Sequence, residues 1–337
     1  MISLGDLASQ FDLDLAGDPG VEITGLATLA GAGASEISFL SNKKYQGQLA
    51  DTRAAAVILQ AEFAEHCPVA TLVTDNPYLA FARITHLFDR SPAGDGRVHP
   101  AAVVSPEATV AAGASVGPNA VVEAGAEIGP NAIIGSNVYI GANCRIGSGT
   151  RIHPNASLYH DVHVGERCIL HSQCVIGGDG FGFAPGPDGW EKIYQLGGVR
   201  IGDDVEIGAG TTVDRGALEH TIIEDGVIID NQVHVAHNCR IGKNTAIAGC
   251  TGMAGSTIIG ANCTISGGVG LAGHIEVCDN VHITGMTIVT RSITEPGSYS
   301  SGTPMMKTRD WRKSAVRFSQ LERIQQRLAS LEKQSGQ

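Results

Sequence analysis

From Val98 onward an aliphatic side chain returns every sixth residue: Val98, Val104, Val110, Val116, Val122, Ile128, Ile134, Ile140, Ile146, Ile152, Leu158, Val164, Leu170 and Ile176. The period resumes at Ile201, Ile207 and Val213, slips by four residues around "LEHT", and then runs without a miss from Ile223 to Val289. This is a hexapeptide repeat, and each unit can bury its apolar side chain only by stacking on its neighbours. Gly and Asn crowd the intervening positions, as in "VGPNAV", "IGPNAI" and "IGANCR", where a tight corner needs positive φ.

Composition agrees with a thin solenoid. Glycine supplies 44 of 337 residues and aromatics only 5%, so the core must be built from small and β-branched side chains. The formal net charge of −11 argues against a nucleic-acid binder held by phosphate neutralisation. The N-terminus "MISLGDLASQFDLDLAG" carries acids within its apolar pattern and lacks a basic lead, and no run of about 18 apolar residues occurs. A soluble, cytoplasmic protein without a transmembrane segment is expected. Of the eight cysteines, Cys144, Cys168, Cys174, Cys239 and Cys263 share one repeat position that elsewhere holds Ala, Val or Thr. They read as small buried hydrophobes of a reduced compartment.

Three regions follow. Residues 1–97 lack the period but contain helix-like "LGDLASQF" and "NPYLAFARITHLF" and strand-like "AAAVIL" and "VATLVT", which predicts a small α/β domain. Residues 98–303 are the solenoid, with "GGDGFGFAPGPDGWEKIYQLGG" at 177–198 too long and too aromatic for one unit and so expected to loop outward. Residues 304–337 place Val316, Leu321, Ile324, Leu328 and Leu331 at helical spacing, which predicts one amphipathic helix packed across subunits or on the solenoid. From Arg291 onward nine Lys and Arg face four acids, a local +5 that could dock an acidic partner.

Six-residue units of this kind resemble the left-handed parallel β-helix of the hexapeptide acyltransferases, a mainly β fold in which three units form one 18-residue coil. With coils about 4.8 Å apart, residues 18 apart sit one above another. His237 in "VHVAHNCRIG" then lies over Gly255 and Gly273, with His274 beside the latter. An imidazole above two bare positions offers a proton acceptor next to exposed backbone amides, as acyl transfer requires. His99, His153 and His171 read as surface residues. A three-histidine zinc site drawn from His234, His237 and His282 is the rival chemistry, although no ligand spacing demands it.

"DNQVHVAHNCRIG", "GGVGLAGHIEVCDNV", "TGMTIV", "ITEPGSYSSGTP", "ISFLSNKKY" and "GGDGFGF" together resemble the UDP-3-O-acylglucosamine N-acyltransferases of lipid A biosynthesis. The resemblance implies a homotrimer with active sites between adjacent solenoids. It also implies transfer of a 3-hydroxyacyl group from the phosphopantetheine of acyl carrier protein to the 2-amino group of UDP-3-O-acylglucosamine. His237 would be the general base, His274 an assisting residue, Asp230 an acid of the family motif that orients His237 either within or across subunits, and the Gly255 N–H an oxyanion donor. Uracil would lie between Phe39 and Tyr45, with Asn42 reading its polar edge, and Met286 or Ile288 would limit acyl-chain length. The basic C-terminal segment would receive the acidic carrier. No metal or resident cofactor is expected, because a thioester is already activated. The related O-acyltransferase acting on UDP-N-acetylglucosamine shares the solenoid but lacks an N-terminal domain of this size.

Overall fold

The computed structural model describes residues 1–336 and divides the chain into two compact units, Met1–Ala93 and Gly94–Gln337. In the first unit, strands Asp14–Ala16, Ala70–Val73, Ala56–Leu59, Glu36–Phe39 and Gly25–Leu26 lie side by side in that order. The first pair is antiparallel and the others are parallel. Helix Leu4–Gln10 begins at Ser3, whose hydroxyl accepts the Asp6 N–H at 3.1 Å. Helix Pro77–Thr85 begins at Asn76, whose side chain accepts the Leu79 N–H at 3.1 Å, and Pro77 occupies a first-turn position that needs no donor. Leu4, Leu7 and Ile84 close one core of this unit with Ile37, Ile58 and Leu72. Leu40, Leu49, Leu59 and Phe63 belong to a second.

The second unit is a parallel β-helix of three sheets with ten, ten and nine strands. The first face runs from Ser115–Val116 to Gly297–Tyr299, the second from Val103–Val104 to Ile288–Val289, and the third from Thr109–Val110 to Glu276–Val277. Val121 pairs with Tyr139 and Tyr139 with Ser157, so each regular coil takes 18 residues. The repeat aliphatics point inward and form one continuous core with Ala126, Cys144, Cys174 and their equivalents. Each such side chain contributes about 1.5–3 kcal/mol by leaving water. Inward threonines are satisfied one coil on, as where the Thr150 hydroxyl donates to the Gly165 carbonyl at 2.7 Å. At the corners Asn131, Asn143 and Asn262 take φ of 55° to 58°, a conformation asparagine tolerates.

Two boundaries differ from the periodicity. Gly96 N–H donates to Ser115 Oγ at 2.8 Å and Val98 bridges Val116, so residues 94–97 join the solenoid. Beyond the last aliphatic, Gly297–Tyr299 adds a strand to Val281–Ile283. The C-terminal segment forms two helices, Thr308–Phe318 and Leu321–Ser335, instead of one. The Ser319 hydroxyl donates to the Val316 carbonyl at 2.8 Å and competes with the helix ladder where the break falls. Val316, Leu321, Ile324, Leu328 and Leu331 are all exposed, so the expected packing on the solenoid is not present. Among the described residues no helix is long and apolar enough to cross a membrane.

The outward loop is an excursion within one coil: Val164 pairs with Ile201 and Ile176 with Val213, 37 residues on instead of 18. Its tip is an exposed hairpin of Phe183–Gly186 with Gly189–Lys192. Arg215, 1% exposed, fastens its base. The guanidinium donates to the Gly177 carbonyl at 2.8 Å, to the Gly197 carbonyl at 3.4 Å and to the His160 carbonyl at 2.5 Å. It also donates to His160 Nε2 at 2.7 Å, which makes that imidazole an acceptor. A buried cation is tolerable only with such full hydrogen bonding. Arg215→Met is expected to free the excursion while the solenoid stays folded, with limited proteolysis inside residues 177–198 accelerated about tenfold or more. Parent-like cleavage would contradict the clamp.

Candidate active site

The second face carries a groove that follows from the 18-residue register. His234, Gly252, Gly270 and Ile288 are successive partners along it, so two side-chain-free positions separate a histidine from an isoleucine. At about 4.8 Å per coil the floor is about 14 Å long. The cleft holds about 650 Å³ and is also lined by Phe181, Asp214, His237 and Gly255. Gly252 and Gly270 meet no atom where a side chain would stand, so they are open floor instead of a packing necessity.

His237 sits half-buried at the corner where the second face turns into the third. Its Nδ1 lies 3.0 Å from Asn238 Oδ1. That oxygen also accepts the Ala217 N–H at 2.9 Å, which fixes the orientation of the Asn238 amide. Nδ1 must therefore carry the proton and Nε2 is left with its lone pair, the form a general base needs. Asn238 holds φ of 61°, and its own N–H donates to Thr221 Oγ1 at 2.9 Å. A Cβ on Gly255 would lie 2.6 Å from both Nε2 and Cε1 of the ring, so only glycine fits beneath it. Among the described residues the Gly255 N–H has no carbonyl acceptor, leaving a donor free beside the base.

Asp214 is the acid of this groove. Its Oδ2 lies 3.9 Å from His234 Nε2, and His234 Nδ1 is 2.9 Å from Thr212 Oγ1. Burial pushes the Asp214 carboxyl above the usual range, with His234 and His237 opposing the shift and Asp179 adding to it. The +18 rule misses Asp214 because the coil after it is stretched: Thr212 pairs with His234, 22 residues on.

Asp230 is placed elsewhere. It lies at the opposite end of the second face, on the order of 15 Å of extended chain from His237. Its Oδ1 accepts the Asn231 N–H at 2.7 Å and its Oδ2 the Gly249 N–H at 2.9 Å. It lines a separate groove of about 630 Å³ with His171 and Glu206, which are 2.9 Å apart. Within one chain Asp230 does not reach His237, which leaves action across subunits as the other alternative. The His171 ring is also stacked on His153, with centroids 4.9 Å apart. His274 occupies a left-handed corner position with φ of 59°, and its N–H donates to the Gly255 carbonyl at 3.1 Å. Within one chain the histidines drafted for zinc do not converge, since His282 lies on the first face, bonded to Thr264 at 2.7 Å, and His234 on the second. Burial pushes the Cys239 thiol up to about 11, as expected of an inert core cysteine.

In the first unit, Phe39 stacks on Phe81 with ring centroids 3.9 Å apart and has Tyr78 at 6.0 Å. One face of Phe39 is therefore already covered. Asn42 caps the short 3₁₀ turn Lys43–Gln48, its Oδ1 accepting the Lys44 N–H at 2.9 Å, so its amino group is the part left for a ligand. Tyr45 stands exposed on that turn.

The bacterial transferase hexapeptide repeat matches residues 107–142, 143–178 and 220–255, and the fold is the left-handed parallel β-helix of that class. The family described as UDP-3-O-(3-hydroxymyristoyl) glucosamine N-acyltransferase, LpxD, matches residues 20–87. A UDP-3-O-acylglucosamine N-acyltransferase of Pseudomonas fluorescens (strain Pf0-1) is 57% identical over 336 residues, covering 100% of this chain and 96% of its own. One from Pseudomonas aeruginosa (strain UCBPP-PA14) is 58% identical over 331 residues, covering 98% and 94%. The chain belongs to the UDP-3-O-acylglucosamine N-acyltransferase family. The solved structure of LpxA from Acinetobacter baumannii is similar at 18% identity and a TM-score of 0.47, over 61% of this chain and 71% of that one.

Gly255→Ala forces the ring of His237 aside and is expected to lower kcat about 10²-fold or more with little change in Tm. For Asp214 the folded pKa lies above the unfolded one, so ionisation above about pH 4 works against folding. Thermal melts of Asp214→Asn should show the variant gaining on the parent as pH rises from 4 to 8; a variant that lost ground to the parent toward pH 8 would contradict the shift.

Proposed function

We propose that this chain, as a cytoplasmic homotrimer, moves a 3-hydroxyacyl group from the phosphopantetheine thioester of acyl carrier protein to the 2-amino group of UDP-3-O-acylglucosamine in lipid A biosynthesis. The observation that carries the reading is His237, whose Nε2 is left unprotonated by Asn238 and lies over a glycine with a free N–H. The substrate ammonium first loses one proton to solvent; as the neutral amine then attacks the thioester carbonyl, Nε2 takes a second proton from its nitrogen. The Gly255 N–H is aimed where the oxyanion develops. Collapse forms the C–N bond and breaks the C–S bond, and the sulfur leaves with the proton held by His237. The thioester supplies the driving force, so the reading needs no resident cofactor.

The acyl chain follows the floor over Gly252 and Gly270 until Ile288 closes it. Ile288 points into the groove, whereas Met286 leans over Gly268, so Ile288 is the residue assigned to limit chain length. His274 is assigned to the donor side of the corner. Phe39, Asn42 and Tyr45 form the uridine platform, with uracil on the uncovered face of Phe39. The local +5 of the C-terminal segment attracts the acidic carrier protein. Asp230 can act on a base only across an interface, from a neighbouring copy.

Mass spectrometry of the product formed from UDP-3-O-acylglucosamine and mixed 3-hydroxyacyl carrier proteins tests the reading. An amide is expected with the parent. His237→Ala is expected to keep its oligomeric state and Tm while losing about 10²-fold or more in kcat. Near-normal turnover by that variant would remove the base, and an ester product would point to O-acylation.

A further inference from the structure

The groove at His237 has two ends of different chemistry. Beyond the base its lining is Gly252, Met253, Gly270, Leu271 and Ile288, which carry no charge. The other end carries Asp214 and His234 beside His237. The pairing of Val213 with Val235, continued by one residue, sets Asp214 opposite Ala236, about 4.8 Å away and one residue from the base. The Asp214 side chain is 16% exposed and lines the cleft, so a ligand in the groove meets its carboxylate directly. His234, with 53% of its side chain exposed, stands 3.9 Å from Asp214 Oδ2 and is itself open to solvent.

Charge fits this end to the acceptor. The uncharged floor takes the acyl chain, so the attacking nitrogen is left the end that Asp214 occupies. A primary amine on a carbon flanked by C–O bonds titrates near the α-amino range, at about 8, and arrives at neutral pH as an ammonium. Two protons must then leave the nitrogen before an amide is complete, and the one lone pair of His237 takes one of them. The titratable groups facing Asp214 are His234 and His237 from the next coil, Asp179 from the excursion and the neutral Cys239 thiol. Asp179 is paired with Lys192, whose Nζ lies 2.5 Å from its Oδ2. Burial raises the Asp214 carboxyl, which brings its proton affinity nearer to that of an amine than an exposed carboxylate comes.

We propose that Asp214 receives the acceptor's ammonium and carries its first proton toward solvent, so that a neutral amine stands before His237. This rests on the acyltransferase reading. The carboxylate attracts the cation into the groove. As the first N–H bond breaks, its electron pair stays on nitrogen and the proton forms an O–H bond on Asp214. That proton then passes to water at the end of the groove where His234 is exposed, and the carboxylate is restored. The freed electron pair forms the C–N bond, and His237 Nε2 takes the second proton. Each of the two protons therefore has its own acceptor, and neither group must serve twice in one turnover.

The test measures initial rates of the full-length chain with UDP-3-O-acylglucosamine and a 3-hydroxyacyl carrier protein between about pH 6.5 and 9, a range that spans the titration of the amine. Asp214→Asn keeps the shape of the side chain and removes the proton acceptor. Its kcat/KM for the amine is expected to fall about tenfold or more below the parent at about pH 6.5, and to recover to within about threefold at about pH 9, where the amine is already neutral. The KM for the carrier protein should not move. Removing the carboxylate also makes His237 harder to protonate, which favours the variant at low pH, so an effect on the base alone gives the opposite trend. Asp214→Glu retains a carboxylate and is expected to follow the pH profile of the parent. Asp214→Ser should repeat the profile of Asp214→Asn and decides the matter where that variant folds poorly. A deficit that stays constant across the range, or none at low pH, would overturn the role of Asp214. Absence of any amide product from the parent would overturn the acyltransferase reading instead.

Discussion

Everything in the second unit depends on strands stacking in register, coil on coil, around a column of inward aliphatics. The ladder fixes the spacing along the axis and the aliphatics fix which side chain faces in, so a one-residue slip would turn the core outward. Once those two constraints hold, outward residues are no longer independent. His234, Gly252, Gly270 and Ile288 become a straight line, and His237 falls above Gly255 without any long-range contact selected for the purpose. The stacked rings of His153 and His171, 4.9 Å apart with planes only 2° from parallel, are the same lattice read through two side chains with other partners.

The lattice alone, however, builds a floor and a base and nothing that orients either. Orientation comes from the two places where the period breaks. The four-residue slip brings Ala217 and Glu219 beside Asn238, which turns Asn238 into a fixed acceptor for the Nδ1 proton of His237. The longer excursion brings Gly180 and Gln195 against the same ring, and Arg215 belongs to the slip while gripping the ends of the excursion. A buried cation bonded only to carbonyls and an imidazole is a costly fastening, and it is used where two irregular segments must be held together next to the groove.

This division explains what could be read in the sequence. The period, the 18-residue arithmetic and the column His237, Gly255, Gly273 follow from local pattern, because they belong to the regular part. So do the α/β elements near the N-terminus, where "LGDLASQF" and "NPYLAFARITHLF" contain the helices Leu4–Gln10 and Pro77–Thr85. Asp214 was hidden, because Thr212 pairs with His234 22 residues on, whereas counting 18 back from His234 reaches Gly216. Asp230 lies away from His237 within the chain for the complementary reason. A motif neighbour seven residues away along an extended face lies at the next corner of the prism, where backbone amides of Asn231 and Gly249 claim its carboxylate. The break at Ser319 left no trace in the spacing of Leu321, Ile324 and Leu328, since a hydroxyl back-bonded to a carbonyl does not alter apolar periodicity.

The same division separates stability from chemistry. Core residues such as Ile176, Val213 and Val235 could be exchanged for other aliphatics with effects felt mainly as packing. The groove instead depends on atoms that contribute little to the fold: a lone pair on Nε2, a free N–H on Gly255 and a raised carboxyl on Asp214. Each is slightly unfavourable for a chain without substrate. They are affordable because the coils above and below are so regular that the locally strained arrangement cannot relax without disrupting their register. A repetitive solenoid is therefore well suited to this chemistry, since rigidity is supplied by repetition and specificity by the few residues that interrupt it.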